Sequence, residues 1–233
     1  GGTAHLTGAS GDGLLGGNTR GMSVDDVGGY MYVGDYNNNR ISRYVLGTGA
    51  AAGWIGRIGT SPTGGDAGCN GATVGTFTPG WCTGGTAQAG NGSGHMSGAA
   101  SPTVGPGRVY LYACDDGNRR VNRFNLDTGA YTGSLGALQN VAPAWIASGV
   151  PITGTGDGVL ANPFMSINDG TSMYVSDSGN NRIVKYNLAT GAFIGWIGNI
   201  NASPTGGDAG CNGATPGTFT PGWCTGGFAQ AGT

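Results

Sequence analysis

Short apolar runs alternate with clusters of Asp, Asn, Gly and Thr along the whole chain, and none approaches the roughly 18 apolar residues of a membrane span. One β-rich run, Tyr30 to Val33 or Met173 to Val175, reaches an Asp/Asn/Gly turn. A second, Arg40 to Leu46 or Arg182 to Leu188, ends at Thr48-Gly49 or Thr190-Gly191. A third holds Gly-Trp-Ile-Gly at Trp54 and Trp196, and an earlier run, Gly21 to Asp25 or Phe164 to Asn168, makes four strands per set. Runs rich in β-branched and aromatic residues, punctuated by turn residues, predict short strands joined as antiparallel meanders.

The pattern is copied. Ser61–Gly85 returns almost letter for letter as Ser203–Gly227, and Trp54-Ile55-Gly56 upstream falls on Trp196-Ile197-Gly198. A diverged third copy lies between them: "YVGDYNNNRISRYVLGTGA" from Tyr32, "YACDDGNRRVNRFNLDTGA" from Tyr112 and "YVSDSGNNRIVKYNLATGA" from Tyr174 align throughout. The outer copies carry a cysteine-bearing insert that the middle one lacks. The units run over residues 1–83, 84–145 and 146–225, with 226–233 opening a further one. Four-stranded meanders stacked side by side are the substance of propeller blades, so the expected fold is all-β, three repeated four-stranded antiparallel meanders with loop insertions.

The stretches "GDGLLGGNTRGMSVDDVGGYMYVGDYNNNRISRY" and "GDGVLANPFMSINDGTSMYVSDSGNNRIVKYN" resemble NHL repeats, with their Gly-Asp-Gly opening and Val/Tyr-Val-x-Asp-x-x-Asn-x-Arg-Ile core. The middle copy, "GSGHMSGAASPTVGPGRVYLYACDDGNRRVNRFN", lacks that opening. The resemblance covers most of the chain outside the inserts and implies NHL-like β-propeller blades. The whole arrangement is similar to long, repetitive bacterial surface or secreted proteins of this kind.

Composition narrows the function. Charged residues are 9% of the chain, against a typical level of about 25%, the net charge is −2, and no Lys/Arg cluster occurs. Nucleic acid and anionic membrane surfaces demand a dense basic face and are not expected partners. Cys69 and Cys82 bracket a Gly/Thr/Pro-rich loop, as Cys211 and Cys224 do in its copy, with neither a second Cys nor a His beside them to complete a metal site. Disulfides Cys69–Cys82 and Cys211–Cys224 are expected, and with them an extracellular or cell-surface location. Cys114 is left over, a buried thiol or else one half of an intermolecular bridge.

Three constellations bear on chemistry. The Asp/Asn turns at Asp35, Asp115 and Asp177 offer oxygens, but without the acid spacing of a calcium loop they are expected to bond their own backbone, with Arg40, Arg120 and Arg182 reaching a carboxylate across the sheet. The insert aromatics Phe77, Trp81, Phe219 and Trp223 either dock the loop over its disulfide or form a sugar-stacking platform, whereas Trp54 and Trp196 belong to the core. The Thr/Ser/Pro composition around Thr76, Thr78, Thr218 and Thr220, and the acceptor motifs at Asn91 and Asn201, raise glycosylation. The histidines His5 and His95 stand in Gly-rich connections, and no nucleophile elbow, P-loop or paired-carboxylate spacing occurs. Some NHL-like propellers are lyases or hydrolases with metal-bound histidines in a central cavity; nothing here matches them, so neither catalysis nor a cofactor is expected.

Propellers close with about four to eight blades, so three leave open faces. "GGTAHLTG" at Gly1 repeats "GGTAQAGN" at Gly84 and "GGFAQAGT" at Gly226, either a register key for head-to-tail contact between copies or the mark of a longer array. The expected role is an extracellular structural or adhesive repeat protein, a homo-oligomer or head-to-tail segment of a self-assembling fibre or surface appendage. The alternatives are a glycan- or protein-binding propeller completed by dimerisation and, third, an NHL-like lyase or hydrolase.

Overall fold

The computed structural model describes residues 12–136, 144–149, 152 and 154–232, and these form antiparallel strands joined by tight turns, with four single-turn 3-10 segments. The first sheet runs in chain order through β1 (Thr19–Asp25), β2 (Tyr30–Asp35), β3 (Arg40–Val45) and β4 (Ala51–Thr60). Its insert adds β5 (Gly64–Gly65), β6 (Cys82–Thr83) and β7 (Thr86–Gln88); β6 pairs with β4, β5 lies outside it, and β7 pairs further along β4. The middle copy forms a plain four-stranded sheet of β8 (Ala99–Val104), β9 (Tyr110–Asp115), β10 (Arg120–Asn125) and β11 (Tyr131–Leu135). The third sheet repeats the first with β12 (Pro163–Asn168), β13 (Ser172–Asp177), β14 (Arg182–Asn187), β15 (Phe193–Ala202), β16 (Gly206–Gly207), β17 (Cys224–Thr225) and β18 (Phe228–Gln230). The outer sheets thus exceed the expected four strands, because each insert extends its own sheet.

The turn between the second and third strands of a copy fixes register. In β2 and β3 the last pair is Asp35 opposite Arg40, and in β13 and β14 it is Asp177 opposite Arg182. Between them a 3-10 turn ends on Asn39 (φ 55°) or Asn181 (φ 54°) in the left-handed region, a conformation Asn tolerates by bonding locally. In β1 a bulge separates Thr19 from Met22, and it needs Gly21 (φ 74°): a Cβ there would lie 2.7 Å from the Ser101 Cα.

The chain packs as two compact units, one reaching to Asn118 and taking in Asn122–Gly133, the other holding Arg119–Val121 and Ser134 onward. The core of the first unit joins Tyr32, Ile41, Ile55 and Trp81 to Met96, Ala99, Leu111, Ala113, Phe124 and Leu126. Each large side chain so buried contributes about 1.5–3 kcal/mol before entropy is counted. Burial pushes the Tyr32 hydroxyl up to about 12. In the second unit Leu160, Met173, Val175, Val184, Tyr186, Trp196 and Ile200 are buried, and the Tyr186 hydroxyl, its ionisation opposed by burial, donates to the Gly158 carbonyl at 3.1 Å.

Polar clasps reinforce the first unit. Arg108 Nη2 meets Asp25 Oδ2 at 2.6 Å, and Tyr36 Oη donates to Asp116 Oδ2 at 2.8 Å. The hydrogen bond from Arg108, opposed by burial, holds the Asp25 carboxyl below its ordinary value. A carboxyl whose folded value is depressed stabilises the fold above its unfolded value, near 4, and loses that contribution as pH falls through the folded value. Asp25→Asn is therefore expected to flatten the acid limb of a melting-temperature profile below about pH 4. An acid limb identical to the parent's would remove this carboxylate from the account.

Candidate interaction surface

The turn carboxylates are fully engaged in structure. Asp35 accepts from Arg40 Nε at 2.9 Å, Asn38 Nδ2 at 2.9 Å and the Gly16 amide at 2.8 Å. Asp177 accepts from Arg182 Nε at 3.1 Å, Asn180 Nδ2 at 2.7 Å and the Ala161 amide at 2.8 Å. Asp115 takes the Ser97 amide at 2.7 Å and the side chains of Asn118 and Asn122, and Arg120 is buried nearby on β10. Their oxygens face N–H donors, an arrangement that pins the chain preceding each sheet to the start of that sheet. Cys114 is buried on β9, so the intermolecular bridge raised from the sequence has no accessible sulfur. His5 lies outside the described residues; the His95 carbonyl accepts from Asn122 Nδ2.

The inserts are small loops closed by sulfur. Cys69 bonds Cys82 and Cys211 bonds Cys224, each with Cα atoms 5.3 Å apart. The first disulfide packs with Trp54 and Ile58. Gly65 (φ 106°) and Gly207 (φ 108°) let the loop cross the backbone before the tryptophan; a Cβ there would come within 2.3 Å of the Trp81 or Trp223 carbonyl. Asp66 and Asp208 then accept the amide of Trp81 and Trp223, both at 2.9 Å, and fix where the indole starts. A cation flanks each ring: the Arg43 guanidinium lies 4.5 Å from the Trp81 ring centre and the Lys185 ammonium 5.3 Å from that of Trp223. Tyr32 and Tyr174 flank the same rings at 5.5 Å.

From here the copies part. Trp81 is buried, its Nε1 donates to the Leu126 carbonyl at 3.2 Å, and Phe77 stacks on Phe124 at 5.6 Å, so the first insert is roofed by the sheet that follows it. Trp223 is half-buried, its Nε1 has no acceptor among the described residues, and Phe219 is 65% exposed. Of the four insert aromatics Trp81 is the most deeply buried and Phe219 the most exposed, with Phe77 and Trp223 half-buried. Thr78 and Thr220 are closed as glycan acceptors, since both are buried with Oγ1 accepting the Gly56 or Gly198 amide at 3.3 Å. Thr76, Thr218, Asn91 and Asn201 are exposed.

The open side of the third sheet extends well past the insert. Met165, Ile167, Tyr174, Ser176 and Ile183 line a cavity of about 130 Å³, and Phe219, Ile197, Asn199 and Gln230 help to line a larger one of about 500 Å³. Sequence alignment alone misplaces part of this face. It matches Met22-Ser23-Val24 to Met165-Ser166-Ile167, but Ser23 pairs with Tyr32 whereas Ile167 pairs with Tyr174. Directly paired residues share a face, so the one-residue difference turns Met165 and Ile167 onto the side that carries Tyr174 and Ile183.

No protein-family model and no curated protein matches the chain. Among solved structures it is similar to the nidogen/laminin complex, at 16% identity and TM-score 0.45, over 78% of this chain and 47% of that one. It is similar too to the hydrazine synthase of Kuenenia stuttgartiensis, at 11% identity and TM-score 0.44 over 82% and 38%, and to regucalcin, a calcium-binding protein of Agrobacterium tumefaciens, at 16% and 0.32 over 79% and 75%. The chain spans less than half the length of the first two. Likeness this distant assigns neither activity nor partner.

Proposed function

We propose that this chain is a section of an extracellular, propeller-type repeat protein whose work is assembly: it offers an apolar sheet face to a protein partner and does not turn over a substrate. The observation that carries the reading is the unequal fate of two near-identical inserts, one roofed by the following sheet and the other presenting Trp223, Phe219 and Ile183 to solvent. Isolated apolar residues on a surface need no explanation, but a contiguous patch that is core in its own duplicate does. Two disulfides support a location outside the reducing cytosol, and no helix among the described residues is long and apolar enough to cross a membrane. A non-catalytic role is supported by the two buried carboxylates Asp35 and Asp177, each already paired with an arginine.

A fibre or surface appendage is the form of assembly that repetition favours, because one interface serves every junction. Negative-stain imaging and light scattering of the oxidised chain over a dilution series will test it: regular multi-chain particles are expected, and a monomer at the highest soluble concentration rejects assembly. The larger cavity, with Asn199, Gln230 and Ser176 beside Phe219, favours glycan as the second reading. A glycan that quenches or shifts Trp223 fluorescence in a saturable way, in a protein that stays monomeric, would move the assignment there.

A further inference from the structure

The internal copies show which partner fits the open face. In two places, each within one compact unit, a tryptophan indole N–H donates to the carbonyl of the leucine ahead of a Thr-Gly turn: Trp81 to Leu126 at 3.2 Å, and Trp145 to Leu188 at 2.9 Å. The turn glycine packs against the Trp81 indole and Ile55 in the first case and against the Ala144-Trp145 backbone in the second. A Cβ on Gly129 would sit 2.7 Å from Ile55 and 3.3 Å from Trp81, and one on Gly191 would sit 2.5 Å from the Trp145 amide. One donor and one acceptor of this kind remain unmatched. Trp223 Nε1 has no acceptor, and the Leu46 carbonyl, ahead of Thr48-Gly49, has no donor among the described residues; Gly49 has open space around it.

The apolar side chains around these groups divide in the same way. The amides taken by Asp35, Asp115 and Asp177 place Leu15, Met96 and Leu160 at equivalent points; Met96 and Leu160 are buried and Leu15 is 38% exposed. Leu126 and Leu188 are buried while Leu46 is 43% exposed. On the opposite side of the repeat, Ile41 and Val121 are buried while Ile183 is 42% exposed. Among the described residues, therefore, nothing covers the Leu15/Leu46 side of the first sheet or the Ile183/Trp223 side of the third.

We propose that these two faces bind each other between copies: the Ile183, Phe219 and Trp223 face of one chain docks the Leu15 and Leu46 face of a second copy, with Trp223 Nε1 donating to the Leu46 carbonyl. The occupant is a second copy because its first sheet carries the same leucine, Thr-Gly turn and unhindered glycine that Trp81 and Trp145 already grip within the chain. The inference rests on the assembly reading above and specifies its junction.

Two variants test it, each at an exposed position where folding is undisturbed: Ile183→Lys blocks one face and Leu46→Lys the other, with circular dichroism and disulfide content as checks on the fold. In analytical ultracentrifugation the wild type is expected to associate beyond a dimer, each variant alone to remain monomeric, and their equimolar mixture to stop at a one-to-one dimer built on the two intact faces. Trp223→Phe, which keeps an aromatic side chain but removes the N–H and the pyrrole half of the indole, is expected to weaken association by at least about fivefold with little shift in the melting temperature. If the wild type associates while the variants alone do so equally, or while their mixture stays monomeric, the assigned junction is wrong and the assembly reading survives. A wild type that never associates overturns both.

Discussion

Replacing Asp177 with alanine is expected to cost the protein about 3–5 kcal/mol, enough to unfold a marginal domain. The carboxylate is wholly buried and answers four donors: Arg182 Nε, Asn180 Nδ2 and the amides of Ala161 and Asn162. Arg182 is just as deeply buried, and its remaining N–H groups go to the carbonyls of Thr155, Gly156 and Val159. Alanine leaves that guanidinium uncompensated in a site that excludes water and unpins Ala161, which holds Leu160 in the core. A buried pair contributes little net stability, whereas losing one partner is expensive, so the effect should far exceed that of a surface pair. Urea titration gives the number through a fall in the midpoint at constant slope. Replacing Asp177 and Arg182 together by leucine and methionine should recover much of the loss, because the stranded charge goes with its partner. A single-variant loss under about 1 kcal/mol would reduce this pair to the rank of an exposed one.

The aspartate-arginine turn was readable from sequence because all its parts are local. Asp35 and Arg40 are neighbours across a hairpin, and Asn39 supplies the left-handed residue between them. The four-strand rhythm was legible for the same reason: each strand is bounded by residues with strong turn preferences. The β12 face was hidden, since shifting one pairing between β12 and β13 reverses which side chains share a side, and nothing in "FMSIN" declares the register. Equally hidden was the different fate of two inserts with the same sequence. The amides of Trp81 and Trp223 donate the same anchoring hydrogen bond to an aspartate, and residues remote in the chain, Leu126 and Phe124 among them, help to bury the first. Trp145, which grips Leu188 as Trp81 grips Leu126, escaped notice because the middle copy reaches that point without a cysteine insert and so offers no motif to align.

Removing either disulfide, by Cys69→Ser with Cys82→Ser or by Cys211→Ser with Cys224→Ser, is expected to cost about 3 kcal/mol for a loop of this length, with unequal structural consequences. The partners are separated by 13 residues in both copies, so the chain-entropy part is the same. What differs is the rest of the support. Without its bridge the first insert still has Phe77 stacked on Phe124 and the Trp81 indole bonded to Leu126; among the described residues the second has no counterpart of either contact and keeps Tyr174, Lys185 and Asp208 around Trp223. Local opening follows the number of buried contacts, so the second insert should open far more often once its sulfur is gone. Limited proteolysis of the fully serine-substituted chain under monomeric conditions should therefore cut near Phe219–Trp223 well before Phe77–Trp81. Equal cleavage rates would mean that the following sheet contributes nothing to holding the first insert. The asymmetry would then belong to the disulfides alone, and the roof that motivates the docking face would lose its energetic content.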